Sequence, residues 1–307
     1  MRYRTAVPLG RAAIAAAGIG YTSVVERNLF RLRRAEAPVL PPGARPIRVL
    51  HISDAHLTPR RDLLMSWLRS LDMYDPDLVV NTGDSLAHPD AVRPFLDALG
   101  PLLDRPGLFV YGSNDLYSPQ PKNPVRYLWR TTTRDYKRRT VPDLPWGELG
   151  AGMAEAGWLD LNNHRGRLKV GDLDIEVAGV HDPHIKRDRY DEIAGPADPA
   201  ADLRIGVTHS PEPRILDRFT ADGFDLLFAG HTHGGQVCVP YYGALVTNCG
   251  IDRHRVKGLH RYGPAWLNVS AGLGTSPWAP VRFSCPPEAT LLTLAPRDPR
   301  TPQDPLD

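Results

Sequence analysis

A chain of 307 residues with 42% hydrophobic content is long enough for one large globular domain or two small ones. Its formal net charge of +2 supplies no overall field for nucleic acid, so no stable nucleic-acid partner is expected. Cys238, Cys249 and Cys285 are odd in number and form no CxxC pair, which argues against a disulfide framework and a cysteine zinc site.

Thr5 to Val25 is mostly small or apolar and carries one charge, Arg11. A bilayer span needs about 20 such residues, but Pro8 and many Ala and Gly weaken this one. Three readings stay open: a membrane-associated segment, a helix packed on the domain, or an export signal. If it spans, Arg27, Arg31, Arg33 and Arg34 keep the main domain cytoplasmic. APVLPPGARP (37–46) reads as a Pro-rich linker. Residues 1–45 are therefore expected to stand apart from a catalytic domain of residues 46–296, with 297–307 a disordered tail.

After the linker, apolar runs alternate with helical patterns. IRVLHI (47–52) reads as a buried strand ending at SDAH. Leu63, Leu64, Trp67, Leu68 and Leu71 recur at helical spacing, as do Val92, Phe95, Leu96 and Leu99. DLVVNTGD (77–84) and LFVYGSND (108–115) are strands that end in polar residues. DIEVAGVHD (174–182), LRIGVTHS (203–210), FDLLFAGHTH (224–233) and WLNVSAGLG (266–274) follow. The alternation implies an α/β fold with helices on both faces. Between them, residues 118–148 have no clear period and carry an excess of Arg and Lys. That insertion is either a solvated surface segment or a basic flap in which Arg126 and Arg130 meet an anionic substrate.

One pattern recurs: an apolar strand followed by a ligand-type residue. Asp54 and His56 follow the first strand, Asp84 the second and Asn114 the third. His209 follows a later one, and His231 and His233 follow FDLLFAG. Ligands of open α/β sheets bind beyond the strand ends, so these residues converge on one site. Mixed nitrogen and oxygen donors suit manganese, iron or zinc better than calcium. There are too many for one tetrahedral zinc with an open position. They suit two metals about 3.5–4 Å apart, a pair that activates a bridging hydroxide for in-line attack on phosphorus.

HISDAH, NTGD, GSND, VTHS and AGHTHGGQ, in this order, resemble the calcineurin-like metallophosphoesterases, and the GHTHGGQ ending resembles their bacterial subgroup of small, often membrane-associated phosphodiesterases. The resemblance implies a four-layer αββα sandwich of two mixed sheets flanked by helices. It assigns Asp54, His56 and His233 to one metal and His209 and His231 to the other, with Asp84 bridging. The third motif departs from the family's GNHD. Either Asn114 ligates the second metal and the helper histidine is lost, or Ser113 faces the metal and Asn114 touches the phosphate. GVHDPH (179–184) is either a polar loop or a source of the missing acid through His181 or His184. The expected activity is hydrolysis of a phosphodiester or pyrophosphate, with a small or lipid-linked substrate and a membrane surface as candidate partners. The alternatives are a degenerate metal- and phosphate-binding protein and a nuclease.

Overall fold

The computed structural model describes residues 16–121 and 140–298. Its strands are numbered in chain order. The first large sheet contains β1 (Arg31–Leu40), β2 (Ile47–Ile52), β3 (Leu78–Asn81), β4 (Gly107–Phe109), β5 (Leu159–Asp160) and β14 (Glu288–Pro296), in the order β1-β14-β2-β3-β4-β5. The second contains β6 (His164–Val170), β7 (Leu173–Gly179), β8 (Leu203–Val207), β9 (Leu226–Ala229), β12 (Gly258–Tyr262) and β13 (Ala265–Val269), in the order β12-β13-β9-β8-β7-β6. β10 (Cys238–Val239) and β11 (Gly243–Ala244) form a small hairpin. Both large sheets are mixed: β2, β3, β4 and β5 run parallel, whereas β14 is antiparallel to β2.

The two-residue period of a strand explains the layering. Along β2, Val49 points into the core between the sheets, while Leu50 and Ile52 point to the outer face. Leu64 and Leu68 of α1 (Asp62–Ser70), Phe95 and Leu99 of α2 (Val92–Leu99), and Leu149 and Met153 of α4 (Trp146–Glu155) cover that outer face. One-turn α3 (Ser113–Leu116) lies between α2 and α4 in the chain. On the far side, Ile215, Leu216 and Phe219 of α5 (Pro213–Ala221) cover the second sheet. The result is the expected four-layer αββα sandwich.

Two boundaries differ from the sequence reading. Residues 31–40, expected outside the domain, form the edge strand β1 parallel to β14, and Ala37, Val39 and Leu40 are buried. Pro38 is compatible with an edge, where one side of the strand needs no N–H donor. The segment before it is also built in: Arg282 N donates to Thr22 O at 3.0 Å, and Cys285 N donates to Glu26 Oε1 at 2.8 Å. The basic insertion ends in packed structure, since Leu144 is buried and α4 begins at Trp146. Residues 122–139 of that insertion, including Arg126 and Arg130, lie outside the described residues, as do 1–15 and 299–307. Among the described residues no helix is long and apolar enough to cross a membrane.

Candidate metal centre

The strand-end loops reach the site through left-handed backbone. Asp54 (φ 53°), His56 (41°), Asp84 (54°), His231 (68°) and His233 (50°) all have positive φ. Each such residue costs about 1–2 kcal/mol when it is not glycine. The loops hold one another in place: Asp54 N donates to Gly83 O at 2.8 Å, His56 N to Asp84 O at 2.9 Å, and Gly230 N to His209 O at 2.8 Å. Gly112 is needed for close approach, because a Cβ there would collide with Asp84 Oδ1 and the His209 ring. Asp115 is the clamp between two loops. Its buried carboxylate accepts from Asp84 N (2.8 Å), Ser85 N (2.7 Å) and Gly112 N (2.9 Å).

The donors form two overlapping groups, Asp54–His56–His233 and Asp54–Asp84–His209, each with its donor atoms within 4.8 Å of one another. His56 Nε2 lies 3.0 Å from His233 Nε2, and His233 Nε2 lies 3.5 Å from Asp54 Oδ1. Asp84 Oδ2 sits between the halves, 3.5 Å from His56 Nε2 and 3.6 Å from His209 Nε2. Asp54 belongs to both groups, and Asp84 Oδ2 lies near one imidazole nitrogen of each, at 3.5 and 3.6 Å. Asp54 Oδ1 and His209 Nε2 are buried without a hydrogen-bond partner. Buried polar atoms are normally paired, so these two orphaned donors fit a cation between them.

The surrounding hydrogen bonds fix which nitrogen faces the cluster. His209 Nδ1 lies 2.7 Å from Thr82 O, and a carbonyl only accepts, so the proton is on Nδ1 and Nε2 is free to ligate. His231 Nε2 lies 3.3 Å from Asn248 O, which leaves Nδ1 as its donor atom. Asp54 is oriented by a directional chain. Asn268 Nδ2 donates to His51 Nδ1 (2.7 Å), His51 Nε2 to Thr82 Oγ1 (3.0 Å), Thr82 to Ser53 (2.6 Å) and Ser53 to Asp54 Oδ2 (2.6 Å). Burial pushes the His51 pKa down to about 3, which keeps this relay neutral.

Charge completes the picture. Burial raises the Asp84 pKa, but the His209 and His56 imidazoles and two N–H bonds from Asn114 outweigh it and hold Asp84 below the usual range. Burial pulls His209 down, yet Asp84, Asp182 and Asp54 outweigh it and raise it to about 9. Burial lowers His56 and His233. An acid-rich pocket that holds a proton on a buried imidazole is one in which a cation can replace that proton.

Asn114, not Ser113, makes the contact to Asp84: its backbone N reaches Oδ1 and its Nδ2 reaches Oδ2, each at 2.7 Å. Of GVHDPH, His184 is brought to the site, with its ring centroid 4.3 Å from that of His231. His181 turns toward Tyr111, at 5.9 Å, and its Nδ1 accepts from Asp182 N at 2.7 Å. Burial pushes the His181 pKa down to about 3 and that of Asp182 up to about 7.

Arg282 escaped the sequence reading. Its guanidinium is fully buried and donates to the carbonyls of Ala271 (2.8 Å), Gly272 (3.0 Å) and Gly274 (2.7 Å), with Nη2 3.3 Å from His233 Nδ1. It braces the His233 turn from behind. Nothing in the local sequence PVRFS marks it.

A family model described as "Calcineurin-like phosphoesterase" matches residues 47–235. The chain is 26% identical over 294 residues to "Uncharacterized metallophosphoesterase YkuE" of Bacillus subtilis, covering 92% of each chain. It is 26% identical over 282 residues to "Phosphodiesterase YaeI" of Escherichia coli, covering 90% of this chain and 93% of that one. It is 25% identical over 305 residues to "UDP-2,3-diacylglucosamine pyrophosphatase LpxG" of Chlamydia trachomatis, covering 87% and 90%.

Proposed function

We propose a reaction for this chain, which belongs to the calcineurin-like phosphoesterase family and is a hydrolase with an Asp/His site that fits divalent metal. The bond cleaved is a phosphodiester or pyrophosphate bond, and the centre holds two ions of manganese, iron or zinc. Asp54, His56 and His233 would hold one ion, and His209, His231 and Asn114 the other, with Asp84 shared. The observation that carries this reading is Asp84 Oδ2, set 3.5 Å from His56 Nε2 of one donor group and 3.6 Å from His209 Nε2 of the other.

The bound metals would supply Lewis-acid charge and lower the pKa of water. The protein's own groups do the rest. Asp115 and the Ser53–Thr82–His51 relay hold Asp84 and Asp54 in one orientation, so the carboxylates need not reorganise during reaction. His184, beside His231, is the group we assign to protonate the leaving oxygen, a role worth about 10²–10⁴-fold. His181 is the weaker choice, since its Nδ1 is already engaged by a backbone N–H. A lipid-linked substrate is favoured by the similarity to a relative named for a diacylated sugar-nucleotide pyrophosphate. The test is a metal-reconstituted assay across mono-, di- and pyrophosphate esters with graded leaving groups. The reading expects turnover of diesters or anhydrides over monoesters; preferred monoester turnover would overturn it.

A further inference from the structure

Twelve of the sixteen large hydrophobic side chains exposed among the described residues fall on three segments: 19–29, 237–245 and 278–283. Scattered exposed hydrophobics are ordinary, whereas a contiguous concentration marks an interaction surface. The three segments are stitched into one face. Cys238 N donates to Phe283 O at 2.8 Å, Gln236 Nε2 to Ala279 O at 2.8 Å, and Arg282 N to Thr22 O at 3.0 Å. Ile19 and Val24 are 65% and 66% exposed, Trp278 is 56% exposed, and Tyr241 at the hairpin tip stands clear of the protein.

Cations edge this face without carboxylate partners. Among the described residues Arg27, Arg31 and Arg61 make no ion pair, and Arg27 Nε is buried with no hydrogen-bond partner. Arg61 Nη2 reaches Asn28 Oδ1 at 3.4 Å, which brings it beside the N-terminal segment. On the hairpin side, Arg253 lies over the Tyr242 ring at 4.2 Å. Between the N-terminal segment and residues 283–286 lies a cleft of about 280 Å³, lined by Tyr21, Leu29, Arg31, Phe283, Pro286 and the buried Glu26, whose carboxylate accepts from Cys285 N. The face adjoins the metal centre, because the turn His233–Gly235 runs straight into Val237 and Arg282 touches both Thr22 and His233.

We propose that this face seats the protein on an anionic lipid bilayer, lying on the interface rather than crossing it. Aromatic residues with arginine beside apolar side chains suit the headgroup boundary. Unneutralised arginines supply the complement to anionic headgroups. A second copy of the chain fits worse, since it would bring another set of Arg27, Arg31 and Arg61 to the same interface and add to its positive charge. The proposal rests on the phosphoesterase reading only for its purpose, which is to present a lipid-borne phosphate to the metals.

The test uses the full chain, with large unilamellar vesicles of phosphatidylcholine alone or mixed with phosphatidylglycerol, read by co-sedimentation. Binding is expected to the phosphatidylglycerol vesicles, to weaken with added salt, and to fall about fivefold in Arg31→Gln. Tyr241→Asp and Val24→Asp, both exposed and harmless to packing, should each abolish most of it. Turnover of a soluble ester should stay unchanged in all three variants, which separates failure of docking from failure of the hydrolase reading. Absent binding, equal binding to neutral vesicles, full binding by the Asp variants, or a vesicle-independent dimer lost in Tyr241→Asp would each overturn the proposal.

Discussion

A chain beginning at Arg45 loses β1 and the segment that precedes it, and should fail both to fold stably and to hold metal. Val39 and Leu40 are 2% and 0% exposed, and burying each such side chain is worth about 1.5–3 kcal/mol. The strand's backbone hydrogen bonds roughly cancel the entropy of ordering it, so these side chains carry most of its contribution. Arg33 pairs with Glu288 through bonds of 2.6 and 2.8 Å, and Glu288 is 6% exposed. Removing Arg33 leaves that carboxylate without its partner, at a cost near the low end of about 3–5 kcal/mol because Arg33 itself is 39% exposed. The sum, roughly 6 kcal/mol or more, matches the whole stability of an ordinary domain, about 5–15 kcal/mol. Loss of Thr22 O and Glu26 Oε1 also frees the backbone at Arg282 and Cys285, behind His233. Urea unfolding and bound-metal analysis should show a collapsed midpoint and a depleted centre. A chain beginning at residue 16 should match the full chain in both. If the chain from Arg45 unfolds at the same urea concentration and carries full metal, the reasoning about β1 is wrong.

Asn114→Ala should lower metal content together with rate, by about 10²–10³ in turnover, while Ser113→Ala leaves metal content intact; the reverse pattern would make Ser113 the ligand. His184→Ala should slow alkyl esters much more than nitrophenyl esters, whose leaving group needs no proton, and His181→Ala should not discriminate; equal losses on both esters would remove His184 from the acid role. Metal affinity measured by competition titration should rise about tenfold per pH unit from about 6.5 to about 9, because the ion must displace the His209 proton, and level off above. In the metal-free protein the same proton adds stability that is fully present below the ordinary histidine pKa of about 6.5 and is lost as pH rises through about 9. A pH-independent affinity across that window would contradict both.

The strands that feed the site were legible because their apolar runs end abruptly in Asp, His and Asn. β1 was not, since Pro38 and the following prolines imitate a linker, and only the partner β14, some 250 residues away, supplies its ladder. Short β5 and one-turn α3 have too few residues to show a period. Asn114's place beside Asp84 could be narrowed to two readings but not decided, because a one-residue register depends on how Asp115 caps the loop. The left-handed backbone at Asp54, His56, Asp84, His231 and His233 leaves no trace in residue type, as Asp and His tolerate it without requiring it. Arg282 and His51 act through contacts distant in sequence and carry no motif of their own.

The central claim is that two ions share Asp84. The most direct measurement is metal stoichiometry with turnover in purified Asp84→Asn, beside the wild-type chain reconstituted under the same conditions. The account predicts about two ions per wild-type chain, and in Asp84→Asn loss of at least one ion with turnover reduced at least a hundredfold. Two ions retained with near-normal turnover in Asp84→Asn, or a fully active wild-type chain holding a single ion, would contradict it.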